Sequence, residues 1–145
     1  MSRFPDGEFG LIGRLREMIG PMPGGVIIGP GDDAALFRPD PGKDILISAD
    51  AMAEGIHFDC SCMPLASLGW KSLAANISDI AAMGGRPRYA VVSLGISPAW
   101  TAADTEALVA GMKRCGDAFT CTIIGGDISA VTGGAFISIT VTGDV

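Results

Sequence analysis

Residues 45–58 read ILISADAMAEGIHF, and the rest of the chain is read outward from them. Residues 45–49 are mostly apolar, as in a buried strand. Asp50 follows at the expected C-terminal end of that strand, with Glu54, Gly55 and His57 just beyond it. A carboxylate at the end of a buried strand stands at the rim of a sheet, where ligands commonly bind. An Asp in that place also serves as a turn residue or a helix N-cap. Three more aspartates have marked surroundings: Asp33 in GPGDDAA, Asp79 in NISDIAAMGG and Asp127 in IIGGD.

The 145 residues make one domain's worth of chain. Hydrophobic residues make up 48% and charged residues 18%, enough for a core. The 21 glycines have no period and cluster between apolar segments, as turns and close backbone approaches require. Net charge is −6 and the ten basic residues form no cluster, which argues against a nucleic-acid footprint. An acidic chain still accepts anionic ligands when cations bridge them to its carboxylates. No apolar run reaches the ~20 residues of a membrane span. The start, MSRFPDGEFG, lacks the apolar core and cleavage pattern of a signal peptide, so a cytoplasmic protein is expected. Of the four cysteines, Cys60 and Cys62 are too closely spaced for the usual zinc pairing, and His57 is the only histidine. Reduced thiols are expected.

Leu11, Ile12, Leu15, Met18 and Ile19 recur at helical spacing over residues 7–19, before Gly20-Pro21. Residues 26–28 are a short apolar stretch. Residues 34–37 read as a short strand, expected to form an antiparallel hairpin with residues 44–49. Residues 64–83 predict a long helix ended by Gly84-Gly85, with Ser72, Asn76 and Asp79 sharing one face. A strand over 89–94 and a helix over 102–115 capped by Thr101 follow. A strand over 120–124 then runs into Gly125-Gly126-Asp127, and a last strand covers 135–141. The expected fold class is α+β, a mixed sheet of four or five strands covered on one face by helices.

Hard oxygen donors near glycine turns suit Mg²⁺, which binds a few carboxylates and keeps waters and phosphates in its other positions. Four acidic groups in one pocket would repel each other without cations. Backbone N–H groups at Gly125-Gly126 could donate to phosphate oxygens. Plain turn roles remain open for Asp32-Asp33 and for Asp127, a packing role for His57, and a solvated turn role for Glu54. Asp79 sits on an otherwise apolar helix and needs a partner. No P-loop pattern occurs.

GEFGLI, GPGDDAA, ISAD with EGIHF, NISDIAAMGG and IIGGD resemble, in order and spacing, the N-terminal domain of the thiamine-monophosphate kinase family. The resemblance runs from Gly7 to Val145. It places the chain in the wider aminoimidazole ribonucleotide synthetase superfamily, with selenophosphate synthetase and a hydrogenase-maturation protein. It implies an aminoimidazole ribonucleotide synthetase N-terminal-domain fold whose sheets pair across a homodimer. It implies ATP-dependent phosphorylation of thiamine monophosphate to the diphosphate by direct in-line transfer, with no general base or nucleophile. Asp33, Ser48, Asp50, Asp79 and Asp127 fall on the family's Mg²⁺ positions, Gly126 and Asp127 on an ATP-contacting pair, and His57 on a substrate-contacting position. Asp32 falls just behind the metal. The family usually has Thr where this chain has Ala49, so a hydroxyl is missing there. The family's C-terminal α/β domain is absent from these residues, so the 145 residues alone are expected to be inactive. A sister enzyme with another substrate and a non-catalytic nucleotide-binding or dimerisation module are the alternative readings.

Overall fold

The computed structural model describes residues 6–145. The leader expectation for residues 1–5 lies outside them. The described elements are α1 (Gly7–Ile19), β1 (Val26–Ile28), β2 (Leu36–Phe37), β3 (Ile45–Ala53), α2 (Leu65–Ala82), β4 (Arg86–Ile96), α3 (Ala102–Phe119), β5 (Thr122–Ala130) and β6 (Phe136–Asp144).

Four strands form one mixed sheet in the order β3-β6-β4-β5. The β3/β6 and β6/β4 pairs are antiparallel, and β4/β5 is parallel. The parallel pair requires a crossover, and α3 supplies it. Helices α2 and α3 pack on one another and on the sheet, and α1 packs on α3. Alternation along the strands sends Ile137, Ile139 and Val141 of β6, and Ala90, Val92 and Leu94 of β4, into the core beneath the helices. The opposite face is open: Ile47 is 71% exposed, and Ile45, Val91 and Phe136 are also exposed. The expected α+β class with helices on one face is what the chain adopts.

Two glycines set the helix spacing. A Cβ on Gly69 of α2 would fall on the Leu108 carbonyl oxygen, and one on Gly111 of α3 on that of Ala66. The helices therefore cross with their backbones nearly touching. Helix α3 begins with a capping box. Thr101 Oγ1 accepts from the Asp104 N–H at 3.2 Å, and the Thr101 N–H donates to Asp104 Oδ2 at 2.8 Å.

The structure corrects three expectations. Strand β2 pairs with β1, not with residues 44–49, and β3 pairs with β6. The small β1-β2 sheet is tied to β4 by Phe37 and Tyr89, whose ring centroids are 4.7 Å apart. Asp50 is not at the end of its strand: β3 continues through it to Ala53, because its ladder with β6 runs unbroken from Ile45 to Ala53. Likewise Gly125-Gly126-Asp127 is no turn. It lies within β5, where an irregularity in the pairing with β4 leaves Ile124 without a partner and lets the strand continue.

Candidate functional site

Both edge strands of the sheet carry aspartates named from the sequence: Asp50 on β3 and Asp127 on β5. Around β3 the polar face of α2 docks on the strand. Ser72 and Asn76 are each 1% exposed, so the shared face read from the sequence is a buried contact. Asn76 Oδ1 accepts from the Asp50 backbone N–H at 3.1 Å, and its Nδ2 donates to the Ser72 carbonyl at 3.2 Å. The buried amide is thereby satisfied and fixes α2 against β3 at Asp50. One turn along α2, Asp79 Oδ2 accepts from Ser48 Oγ at 2.7 Å. The partner that a carboxylate on an apolar helix requires is Ser48. Asp50 and Asp79 are both solvent-exposed, and Ala49 lies exposed on β3 between Ser48 and Asp50.

Around β5 a cleft of about 380 Å³ opens between α1, α3, the 29–35 segment and the strand itself. Its walls include Asp32, Asp33, Gly125, Gly126 and Asp127. Asp32 Oδ1 accepts the Asp33 N–H at 2.9 Å, shaping the loop that presents Asp33. Asp127 Oδ2 accepts from Ser129 Oγ at 3.0 Å. Gly126 passes so close to Val92 that a Cβ there would fall on the Val92 carbonyl oxygen, so only glycine fits. The inner wall of the cleft is apolar, with Leu94, Val109 and Met112.

His57 lies past the end of β3 in an exposed loop. Its Nδ1 accepts the Ala53 N–H at 3.0 Å, leaving Nε2 outside that bond. Lys71 Nζ donates to the His57 carbonyl at 3.2 Å, tying this loop to α2. Glu54 Oε2 accepts the Ala135 N–H at 2.7 Å and so joins the start of the loop to the entry of β6. Burial, then the neighbouring Glu54, push the Cys60 thiol up to about 11; burial also pushes Cys121 up to about 12. Both stay protonated at neutral pH, and all four cysteines are free thiols, as expected for reduced residues.

The predicted residues fall into two groups within one chain. At the β3 edge Ser48 bonds Asp79, and the Asp50 backbone bonds Asn76 on the same helix; Asp33, Gly126 and Asp127 line the β5 cleft. Along the ladder Asp50 is level with Ile139, Val92 and Gly126. Three strand spacings therefore separate the groups, about 14 Å. Among the described residues, no three His, Cys, Asp or Glu side chains gather closely enough to hold a metal ion. Each group offers two carboxylates of oxygen donors, which is the number Mg²⁺ commonly takes from a protein before phosphates and water complete its shell. Sequence reasoning gave no role to Asn76 or Lys71 and left Glu54 as a solvated residue. The face shared by Ser72, Asn76 and Asp79 was the signal for Asn76. The Lys71 and Glu54 contacts span long stretches of sequence and leave no local signal.

Residues 31–145 match the family model described as AIR synthase related protein, N-terminal domain. Thiamine-monophosphate kinase of Bacillus subtilis is 37% identical over 120 residues, covering 83% of this chain and 37% of that protein. The crystal structure of thiamine-monophosphate kinase from Stenotrophomonas maltophilia K279a superposes with a TM-score of 0.79 at 34% identity, over 95% of this chain and 42% of that one. A structure of AaThiL complexed with AMPPCP and TMP superposes with a TM-score of 0.68 at 30% identity, over 100% of this chain and 44% of that one. The chain thus spans about two fifths of the length of these relatives. On the family match and these relatives together, the chain belongs to the AIR synthase related family as an N-terminal domain of the kind found in thiamine-monophosphate kinases.

Proposed function

We propose that this chain is the Mg²⁺- and ATP-binding part of a cytoplasmic thiamine-monophosphate kinase. The observation that carries the reading is the β5 cleft, whose walls include Asp33, Asp127, Gly125 and the close-packed Gly126, in a chain similar over its whole length to a protein complexed with AMPPCP and TMP. ATP is the phosphoryl donor and thiamine monophosphate the acceptor.

The chemistry asks little of side chains as acids or bases. A phosphate acceptor has a second pKa of about 6 and is largely deprotonated at neutral pH, so it needs no general base. The difficulty lies in bringing two polyanions in line, which positioning and charge neutralisation supply. Asp33, Ser48, Asp50, Asp79 and Asp127 are the residues that would hold Mg²⁺, and the ion supplies neutralisation of phosphate charge when bound. Asp32 keeps Asp33 presented through its backbone N–H. Gly126 lets the β5 backbone approach the nucleotide phosphates. The Ser48 hydroxyl orients the Asp79 carboxylate. His57, with Nδ1 accepting from the Ala53 N–H, has Nε2 left to contact the acceptor. With Ala49 in place of a hydroxyl residue, water or a backbone carbonyl takes that ligand position.

The two half-sites, some 14 Å apart across the sheet, have a natural way to meet in a homodimer. The open face carries Ile45, Ile47, Val91 and Phe136, and among the described residues both sheet edges are unpaired. Two such sheets closing into a barrel would cover that face and set the nucleotide near the subunit boundary. The remainder of the family's architecture, a C-terminal α/β domain, would complete the acceptor site.

The test is turnover of ATP by the full-length protein with a panel of phosphorylated acceptors, with Mg²⁺ and after its removal by chelation. Thiamine diphosphate formed from thiamine monophosphate only with Mg²⁺ is the expected result. Preference for another acceptor would make the protein a sister enzyme. Nucleotide binding with no transfer to any acceptor would reduce it to a binding module.

A further inference from the structure

We propose that Arg16 is a phosphate-contacting residue of the β5 cleft. This rests on the reading that the cleft takes a magnesium nucleotide. Arg16 lies in the last turn of α1, where a cation already complements the helix dipole. Its side chain does more than sit at the helix end. The guanidinium lies across the bare backbone of Gly31: a Cβ built there would stand 2.5 Å from both Cζ and Nη1. Gly31 also has φ +118°, a conformation that side-chain-bearing residues rarely adopt. The loop leading to Asp32 and Asp33 is thus shaped to seat the guanidinium at the cleft wall.

Among the described residues Arg16 is the only lysine or arginine lining the cleft, whose walls also carry the carboxylates of Asp32, Asp33 and Asp127 and the Gly125-Gly126 backbone. Among the described residues it makes no ion pair, although Asp32 and Asp33 follow Gly31 directly, whereas Arg14 and Arg88 are each paired with two carboxylates. A planar fork of N–H donors fits phosphate oxygens in bidentate fashion. Carboxylates can receive a polyphosphate only through cations, and oxygens not facing a cation need donors. Arg16 is the donor among these lining residues that also carries a positive charge.

The experiment is calorimetric titration of ATP with excess Mg²⁺ into the wild-type chain and the variants Arg16→Gln, Arg16→Lys and Arg114→Gln, with amide exchange of residues 29–33 followed in each ligand-free protein. The control removes an equal charge from an exposed site on α3. Arg16→Gln is expected to weaken Mg·ATP binding about tenfold, the scale of a charge-assisted hydrogen bond. Arg16→Lys should fall between, Arg114→Gln should match wild type, and exchange in 29–33 should be unchanged. Wild-type affinity in Arg16→Gln would overturn the assignment and leave the nucleotide reading intact. Weaker binding together with faster exchange in 29–33 would mean that Arg16 only props the loop, and would also overturn it. A wild-type chain that binds no Mg·ATP would remove the nucleotide reading and this assignment with it.

Discussion

Asp79 and Asp104 are both helix carboxylates, and the structure gives them opposite kinds of work. Asp79 is exposed and accepts one hydrogen bond, from Ser48 Oγ. An Asn in its place can still accept that bond but cannot neutralise a cation. Asp79→Asn should therefore lower phosphoryl transfer by at least about a hundredfold while leaving stability within about 0.5 kcal/mol, measured as turnover of the full-length enzyme and as a denaturant midpoint. Undiminished turnover would remove Asp79 from the metal set. Asp104 is structural. Hydrogen bonds from the Thr101 N–H and hydroxyl hold its carboxyl below the usual carboxylate range. A lowered folded-state pKa means that the unfolded chain binds the proton more tightly. The stabilisation is therefore present above the unfolded-state pKa and is lost as pH falls through the folded one. Asp104→Ala should cost about 0.5–1 kcal/mol at neutral pH. Urea midpoints of the two proteins should converge at acid pH; a gap that persists there would contradict the assignment. The cap was legible because Thr-x-x-Asp before an apolar run is a local signal. Asp79's partner was not, because Ser48 is 31 residues away.

Among the elements, α1 and α2 were read nearly to their ends, while α3 and the strands of the main sheet ran longer than expected. Helix α1 keeps the bounds given by its 3.6-residue spacing, and α2 differs by one residue at each end. The strands β3 and β5 outran their predicted ends because Asp50 and Gly125-Gly126 were read as stops. On edge strands a polar or bare residue can face solvent while the ladder continues on the other side. The hairpin expected between residues 34–37 and 44–49 failed for a different reason. Proximity in sequence favoured it, but β3 finds a full-length partner in β6, whose residues lie far along the chain. The α2/α3 crossing was hidden in the same way, since neither Gly69 nor Gly111 announces its counterpart. Gly111→Ala should raise helix propensity slightly, by under about 1 kcal/mol, and meet the Ala66 carbonyl oxygen, which cannot rotate away. The clash should win, with a net loss of about 1–3 kcal/mol. Thermal or urea unfolding measures it, and a stabilised variant would mean the helices separate easily.

For the molecule as a whole, the class of fold and the family were legible, whereas the arrangement of the site within one chain was not. Motif order placed five oxygen-donor residues on a single list, but the sheet order β3-β6-β4-β5 distributes them to its two edges. Pairing order is a long-range property that no local pattern reveals. Among the described residues the same topology leaves an apolar open face and two bare edges, so a dimer of this chain is predicted at micromolar concentration. Light scattering measures it, and a monomer mass would leave the two half-sites without a route to each other. Within such a dimer the acceptor would still be poorly held. Positioning can supply about 7–11 kcal/mol of a barrier, and on the proposed division of labour these 145 residues alone would forgo most of it.

The central claim is that this chain carries the Mg²⁺–nucleotide site and needs further structure for transfer. The most direct measurement is a paired assay of residues 1–145 and the full-length protein at millimolar Mg²⁺, ATP and thiamine monophosphate, following both nucleotide binding and thiamine diphosphate. The account predicts Mg²⁺-dependent nucleotide binding by both, and thiamine diphosphate from the full-length protein alone. Nucleotide binding indifferent to Mg²⁺, or equal turnover by the 145 residues, would contradict it.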